Sequence, residues 1–308
     1  MAGRPEHAVA PLPCRRARGA DFLPARGFLR QSDMSAKKTV IKLGSVSFLN
    51  AKPITYAIEN GLVEHDFSIV QTPPSELSGM LSRKEIDLGL IPVAEFLKRG
   101  TYSAVPGISI SSYGKVDSVV LLAKEKLKNV RTVAVDLRSQ SSTALLRVIL
   151  EVFHGLKPSY TPRDATKEGF LDGVDAGMII GDLGLEMMYA PPAGYSVYDL
   201  GEIWTAETGL PFVFAVFAVN RGVSLGRNVD ALAESMAYGR AHAAGIARIE
   251  AARLGMDEAT CVTYLTERIQ YDLGPREREG IVKYSELLSG LGISEKIPGV
   301  EIYAEEKN

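Results

Sequence analysis

The sequence predicts an α/β protein of two lobes that form a clamp around a cleft, followed by a helical C-terminal region. Three observations predict this. From Thr39 onward, short apolar strands alternate with helices across short connections, the signature of a sheet with parallel strands covered on both faces. Two apolar segments, residues 118–123 and 212–219, bracket a self-contained α/β block of about 90 residues, near the small end of domain size. Beyond the second segment the pattern is helical, with no further strong strand. A chain that leaves one lobe, completes a second and returns makes a clamp with two crossing strands. Ligands bind in such a cleft because hinge closure wraps them. Residues 34–122 with 218–308 are expected to form one lobe, and residues 123–217 the other.

The elements follow in order. Residues 39–46 (TVIKLGSV) read as a strand and residues 50–60 as a helix, with Asn50 at the N-cap position, Pro53 in the first turn and Gly61 as the stop. Residues 67–71 form a strand ending in Pro73-Pro74, and residues 75–82 a helix with a Leu77, Met80, Leu81 face. Residues 87–91 (DLGLI) are a buried strand, and Pro92 opens a helix to residue 99. In the second set, residues 118–123 and 132–136 are strands, 142–153 a helix, and 176–180 a strand opening on Gly181-Asp182. A loop is expected around Trp204 and Gly209-Leu210-Pro211, then the unbroken strand FVFAVFAV at 212–219. Helices are expected at 230–253, 257–268 and 276–291. There is no internal repeat and no low-complexity tract.

Composition narrows the function. The 308 residues are 46% hydrophobic and 23% charged, which excludes wholesale disorder. No apolar run reaches the roughly 20 residues of a membrane span. With 35 basic against 37 acidic residues, no basic face for nucleic acid is implied. Cys14 and Cys261 cannot make a disulfide framework or a zinc site by themselves, and the four histidines lack metal-ligand spacing. A cytoplasmic, metal-free protein acting on a small molecule is the expectation. Residues 1–33 differ from the rest, with six arginines, three acidic residues and four prolines. They have no apolar export segment, and are read as a disordered tail or the product of a start codon placed too early, with Met34 as the alternative start.

Four segments carry candidate chemistry. In Ser45–Pro53 (SVSFLNAKP) a strand runs into a helix N-terminus, where orphan N–H groups and the dipole attract an anion. Ser47 and Asn50 have donors to offer there, although on residue type alone capping is the stronger role for Asn50. The second, Ser139-Gln140-Ser141-Ser142-Thr143, has three consecutive hydroxyls, one of which is expected to cap, while another either faces a ligand or has no such role. The third is Gly181-Asp182 just past a strand end, where α/β proteins bind ligands; Asp182 equally suits a helix cap. The fourth, Ser111 to Ser118, leads into the first crossing strand, with hydroxyls that face the cleft or simply build a turn. His154 and His242 read as structural.

At these same residues the sequence resembles a known family. The strings SVSFLNAKP, DLGLIPVAEF, SQSSTALLRVIL and TGLPFVFAVF resemble the chorismate dehydratases of the futalosine route to menaquinone, with likeness from about residue 40 to about 291. The resemblance implies a periplasmic-binding-protein type II fold, and dehydration of chorismate to 3-[(1-carboxyvinyl)oxy]benzoate without a cofactor. Carried over, it implies Asn50 and Ser118 as the catalytic or substrate-orienting residues, with Ser112 the alternative to Ser118. Substrate contacts are expected from Ser47, Ser112, Ser141, Ser142, Thr143, Gly181 and Asp182. Two other readings remain open at this level: a solute-binding protein of the same fold, and the sister 1,4-dihydroxy-6-naphthoate synthase.

Overall fold

A computed structural model describes residues 40–99 and 101–305, so the reading of residues 1–33 lies outside the described residues. The chain first lays down β1 (Ile41–Ser45), α1 (Lys52–Glu59), β2 (Phe67–Gln71), α2 (Pro74–Ser82), β3 (Leu88–Pro92), α3 (Val93–Arg99) and β4 (Tyr102–Ser112). A second series follows: β5 (Val119–Ala123), β6 (Thr132–Asp136), α4 (Gln140–Arg147), β7 (Ser159–Arg163), β8 (Ala176–Ile180), α5 (Gly181–Tyr189), β9 (Ser196–Asp199) and α6 (Leu200–Thr208). Then come β10 (Phe212–Asn220), α7 (Asn228–Ala241), α8 (Ala243–Leu254), α9 (Glu258–Thr263) and α10 (Pro275–Gly290).

These strands form two five-stranded sheets, ordered β2-β1-β3-β10-β4 and β7-β6-β8-β5-β9. Each has three parallel strands, then one antiparallel strand, then a fourth from the same series. The antiparallel member arrives from outside the local series: β10 enters the first sheet after the second is finished, and β5 enters the second before it begins. A topological repeat is therefore present where the sequence shows none.

The two expected crossing strands each belong wholly to one sheet. Phe212–Asn220 pairs with β3 and β4, and Val119–Ala123 with β8 and β9. The chain changes sheets in the connections, residues 113–118 and 209–211, so a boundary at 217/218 cuts through β10. The run FVFAVFAV is apolar because β10 is central in its sheet and covered on both faces, and not because it crosses.

Four elements appear where none was expected, β4, β7, β9 and α6, and two of them show why. β4 contains Pro106-Gly107, which punctuates the sequence like a turn; both residues are exposed in a strand at the last position of its sheet, where proline is tolerated. α6 replaces the expected loop. Asp199 caps it by accepting the Glu202 N–H at 3.0 Å, and Gly209 ends it with φ +67°. This folds Trp204 fully into the core, edge-on to Phe212 at 5.1 Å and to Tyr284 at 5.9 Å. That aromatic group joins α6, β10 and α10 beside the connection between the sheets. The helix expected at 230–253 breaks at His242, whose ring stacks on Tyr238.

Candidate active site

β1, β3, β6 and β8 point their carboxyl ends toward one cleft, and the antiparallel β5 and β10 bring their amino ends to the same place. The cleft spans about 640 Å³ of empty space, a figure that includes open solvent. Its floor is apolar, with Val46, Leu90, Pro92, Ile110, Val119 and Phe214. Among the described residues that line it, one side chain is charged, Arg138.

Arg138 lies in the turn between β6 and α4, in the second lobe. Its Nε and Nη2 donate to the two carboxylate oxygens of Asp136 at 2.9 and 2.6 Å, and the Asp136 side chain has no solvent exposure. This fork fixes the guanidinium plane. The hydrogen bond that Arg138 donates to Asp136 raises the Arg138 pKa further, so the cation persists. Nη1 has no partner among the described residues and remains available to an anion. The next residue, Ser139, is the cap of α4: its Oγ accepts the Ser142 N–H at 3.1 Å. The cap is thus none of the three consecutive hydroxyls. Ser141 Oγ instead accepts the Ala94 N–H at 2.8 Å, serving the first turn of α3 from the opposite lobe, while its carbonyl accepts from the Tyr284 hydroxyl. Ser142 lines the cleft, its hydroxyl without a partner among the described residues.

In the first lobe, Asn50 does not cap α1. It sits within a single 3₁₀ turn, Leu49–Ala51, and the cap position of α1 falls on Ala51, which offers no side-chain acceptor. A helix one turn tighter at its start moves the amide off the helix axis and onto the cleft wall, beside the Tyr264 hydroxyl. Two neighbours in sequence tie this turn across to the second lobe. The Leu49 N–H donates to Asp182 Oδ1 at 3.0 Å, and the Phe48 ring lies where a Cβ on Gly181 would be, 3.0 Å away. Gly181 also has φ +67°, so glycine is required there twice over. Burial pushes the Asp182 carboxyl pKa up, against the lowering by the Leu49 N–H.

Ser118 belongs to the connection between the sheets and is 1% exposed. Its position is over-determined. Asp199 accepts the N–H groups of Val116 and Asp117 at 3.0 and 2.7 Å. Asp117 holds φ +59°, costly for a residue with a Cβ, and its carboxylate accepts from Tyr189 Oη at 2.7 Å and Arg268 Nε at 2.8 Å. Burial and then Asp117 push the Tyr189 phenol up to about 12, so it stays a donor. Gly184 of α5 comes so close to the Ser118 carbonyl that a Cβ would lie 2.5 Å from it. Finally, Tyr264 Oη donates to Ser118 Oγ at 2.7 Å.

Of the residues expected from sequence, the cleft gathers Asn50, Ser118, Ser141, Ser142 and Gly181. It leaves out four. Ser47 is exposed and lines a neighbouring hollow with Thr72 and Pro73. Ser112 is fully buried against Gly201 of α6, away from the cleft. Thr143 turns back to donate to the Ser139 carbonyl at 2.6 Å. Asp182 serves as the tie to Leu49 rather than as a helix cap. Arg138 and Tyr264 have no place in the sequence reading, and Phe48 and Ser139 stand inside its quoted segments without a role of their own. Arg138 immediately precedes the serine segment, whereas Tyr264 carries no local signal. No group of three or more metal-ligating side chains occurs among the described residues, and no helix among them is long and apolar enough to cross a membrane.

Known proteins resemble the chain at two levels. A chorismate dehydratase of Thermus thermophilus is 29% identical over 262 residues, 80% of this chain and 94% of that protein. Among solved structures, a protein of Archaeoglobus fulgidus superposes with a TM-score of 0.64 at 18% identity, covering 82% of this chain and 98% of that one. The alkanesulfonate-binding protein of Xanthomonas axonopodis, bound to MOPS, gives 0.62 at 15% identity, covering 83% and 94%. The last two show the fold, that of periplasmic binding proteins. The model of a menaquinone biosynthesis family matches residues 41–289, which takes in both sheets and the helices that place Tyr264, and the chain is a member of that family.

Proposed function

We propose that this protein is a chorismate dehydratase, a hydro-lyase that removes water from chorismate to give 3-[(1-carboxyvinyl)oxy]benzoate. The observation that carries the reading is a guanidinium with a free N–H on one wall of the cleft, facing an amide and a serine hydroxyl on the other. Chorismate carries two carboxylates and loses its 4-hydroxyl together with the C3 proton. Its C3 proton is acidic through the conjugated ring carboxylate, so fixed donors to developing negative charge serve this reaction. Arg138 and Ser142 bind a carboxylate in the second lobe. Asn50 and Ser118 orient the ring and donate to the departing oxygen, and the apolar floor accepts the ring.

The base is the substrate's own carboxylate in this reading. Support comes from the cleft wall, where the described side chains are apolar, hydroxyl, amide or guanidinium, with no carboxylate or imidazole to accept a proton. The C3 proton passes to that carboxylate, the C3–H electrons complete the aromatic ring, and the C4–O pair leaves with the oxygen, which takes the proton from the carboxylate and departs as water. An enzyme drawing on chorismate belongs in the cytoplasm, where that metabolite is made and used. The test is to incubate purified protein with chorismate and follow the aromatic product by absorbance and mass. Chorismate left intact by folded protein sinks the reading; tight binding without turnover would favour a solute-binding protein.

A further inference from the structure

We propose that Tyr264 is a positioning residue that sets the direction of the hydrogen bond Ser118 gives to the substrate; this rests on the function proposed above. Tyr264 is 1% exposed, and its hydroxyl contacts Ser118 Oγ at 2.7 Å with the Asn50 amide beside it. It thus links the two residues expected to do the chemistry, although it comes from the C-terminal helical region. Tyr264 opens the π-helical segment Tyr264–Arg268, and Arg268 at the other end grips Asp117, the residue before Ser118. One short segment therefore fixes Ser118 twice, through its hydroxyl and through its backbone neighbour. π-helical turns are rare and concentrate at functional sites.

The direction follows from counting protons. A hydroxyl has one proton to give, and a phenol is a stronger donor than an aliphatic alcohol. Tyr264 therefore donates and Ser118 Oγ accepts. With that lone pair occupied, the Ser118 proton turns away from Tyr264 and into the cleft that Ser118 lines. Ser118 then meets the substrate as a donor. As the C4–O bond breaks and its electron pair moves to oxygen, that hydrogen bond strengthens, and the bond from Tyr264 behind it strengthens in turn. No proton need leave Ser118, because the one removed from C3 completes the water.

The experiment is a double-mutant cycle on the full chain with chorismate. Tyr264→Phe is expected to lower kcat about tenfold, the worth of one hydrogen bond expressed as a rate, with KM changed less than about threefold. Ser118→Ala is expected to lower kcat more. The double variant should be no slower than Ser118→Ala, because Tyr264 acts through Ser118. A merely structural role predicts losses that add, and additive losses would overturn the proposal, as would wild-type kcat in Tyr264→Phe. Should Tyr264→Phe not fold, 3-fluorotyrosine at position 264 keeps the shape and makes the phenol a stronger donor. Its kcat should shift with KM constant, and an unchanged kcat would equally overturn the inference. Wild-type protein that folds and leaves chorismate untouched overturns the function reading, and this inference with it; active wild type with an indifferent Tyr264 overturns this inference alone.

Discussion

After its first parallel strand, β1, the first sheet runs into Ser47-Phe48-Leu49-Asn50; after the matching strand, β6, the second runs into Leu137-Arg138-Ser139. The two turns occupy equivalent places in two sheets of the same strand order, yet they carry different chemistry. The first-lobe wall is an amide, an aromatic ring and apolar side chains, while the second holds a guanidinium and three hydroxyls. Ser118 comes from the connection between them. The difference supports the proposed function with a division of labour in which one lobe grips an anion and the other seats and orients a ring. In a symmetric clamp either turn would serve for binding. Here the fixed positive charge lies on one side only, so substitutions in the two turns should fail in different ways.

The largest effect is expected from Arg138→Ala. It removes the anion's partner and leaves the Asp136 carboxylate, whose side chain has no exposure, with the backbone N–H of residue 138 but no countercharge in its fork. Breaking such a pair costs about 3 kcal/mol or more, visible as a lower urea midpoint. Arg138→Lys keeps the charge but loses the fork, so it should recover much of the stability and little of the affinity. A wild-type KM in either variant would remove the second lobe from the binding role. Asn50→Asp comes next and should fail the other way. Because Asn50 caps nothing, its Tm should stay close to wild type, while a negative charge facing a dianion should lower turnover at least about a hundredfold. Normal turnover in that variant would dissolve the division of labour.

How much of this was legible differs between the two regions and the residues behind them. Both turns were readable because a strand that runs into a helix leaves orphan N–H groups, and Asn, Ser and Gly gather there for reasons that act locally. Which hydroxyl faces the cleft was not readable, because that depends on where α3 and α10 pack: Ser141 is claimed by Ala94, 47 positions away. Tyr264 was invisible for the same reason in stronger form, its partner being 146 positions away. In sequence it is one more buried position on a helix face. The sheets were legible in part. The parallel strands other than β7 read clearly, whereas Pro106-Gly107 hid β4. The D-x-x-E spacing of Asp199 and Glu202, a capping box pattern, was present and would have revealed α6.

Smaller effects sharpen the comparison. Gly184→Ala places a methyl 2.5 Å from the Ser118 carbonyl and forces α5 or the connection to move, at a cost of about 1–3 kcal/mol in stability and with slower turnover. If turnover holds while stability falls, the position of Ser118 tolerates movement and its over-determined backbone has another cause. Within the serine turn, Ser142→Ala and Thr143→Ala form a matched pair. Ser142 lines the cleft and Thr143 donates to a carbonyl within its own turn. Ser142→Ala should raise KM up to about tenfold, one hydrogen bond's worth, and Thr143→Ala should leave it alone. Equal effects on KM would mean that the hydroxyls act through the helix and not on the ligand.

The smallest effect is expected where the lobes are tied, at Asp182. Its carboxyl pKa is raised chiefly by burial, so the ionised form is worse placed in the folded protein than in the unfolded chain. A raised folded pKa gives a contribution that is complete below the unfolded value, near pH 4, and is lost as pH rises through the folded value. Asp182→Asn lacks that loss and keeps an oxygen to accept the Leu49 N–H. The variant should therefore match wild type in acid and be the more stable of the two at neutral pH, measured as urea midpoints across that range. Turnover is the second reading of the same variant. Asp182 is a carboxyl near the cleft with a raised pKa, and so a rival to the substrate's own carboxylate as the base. Its described contact is with the first lobe's backbone and it does not line the cleft, so Asp182→Asn should turn over chorismate within a few-fold of wild type. A loss of about a hundredfold or more, the scale of a missing general base, would give Asp182 that role and move proton removal onto the second lobe.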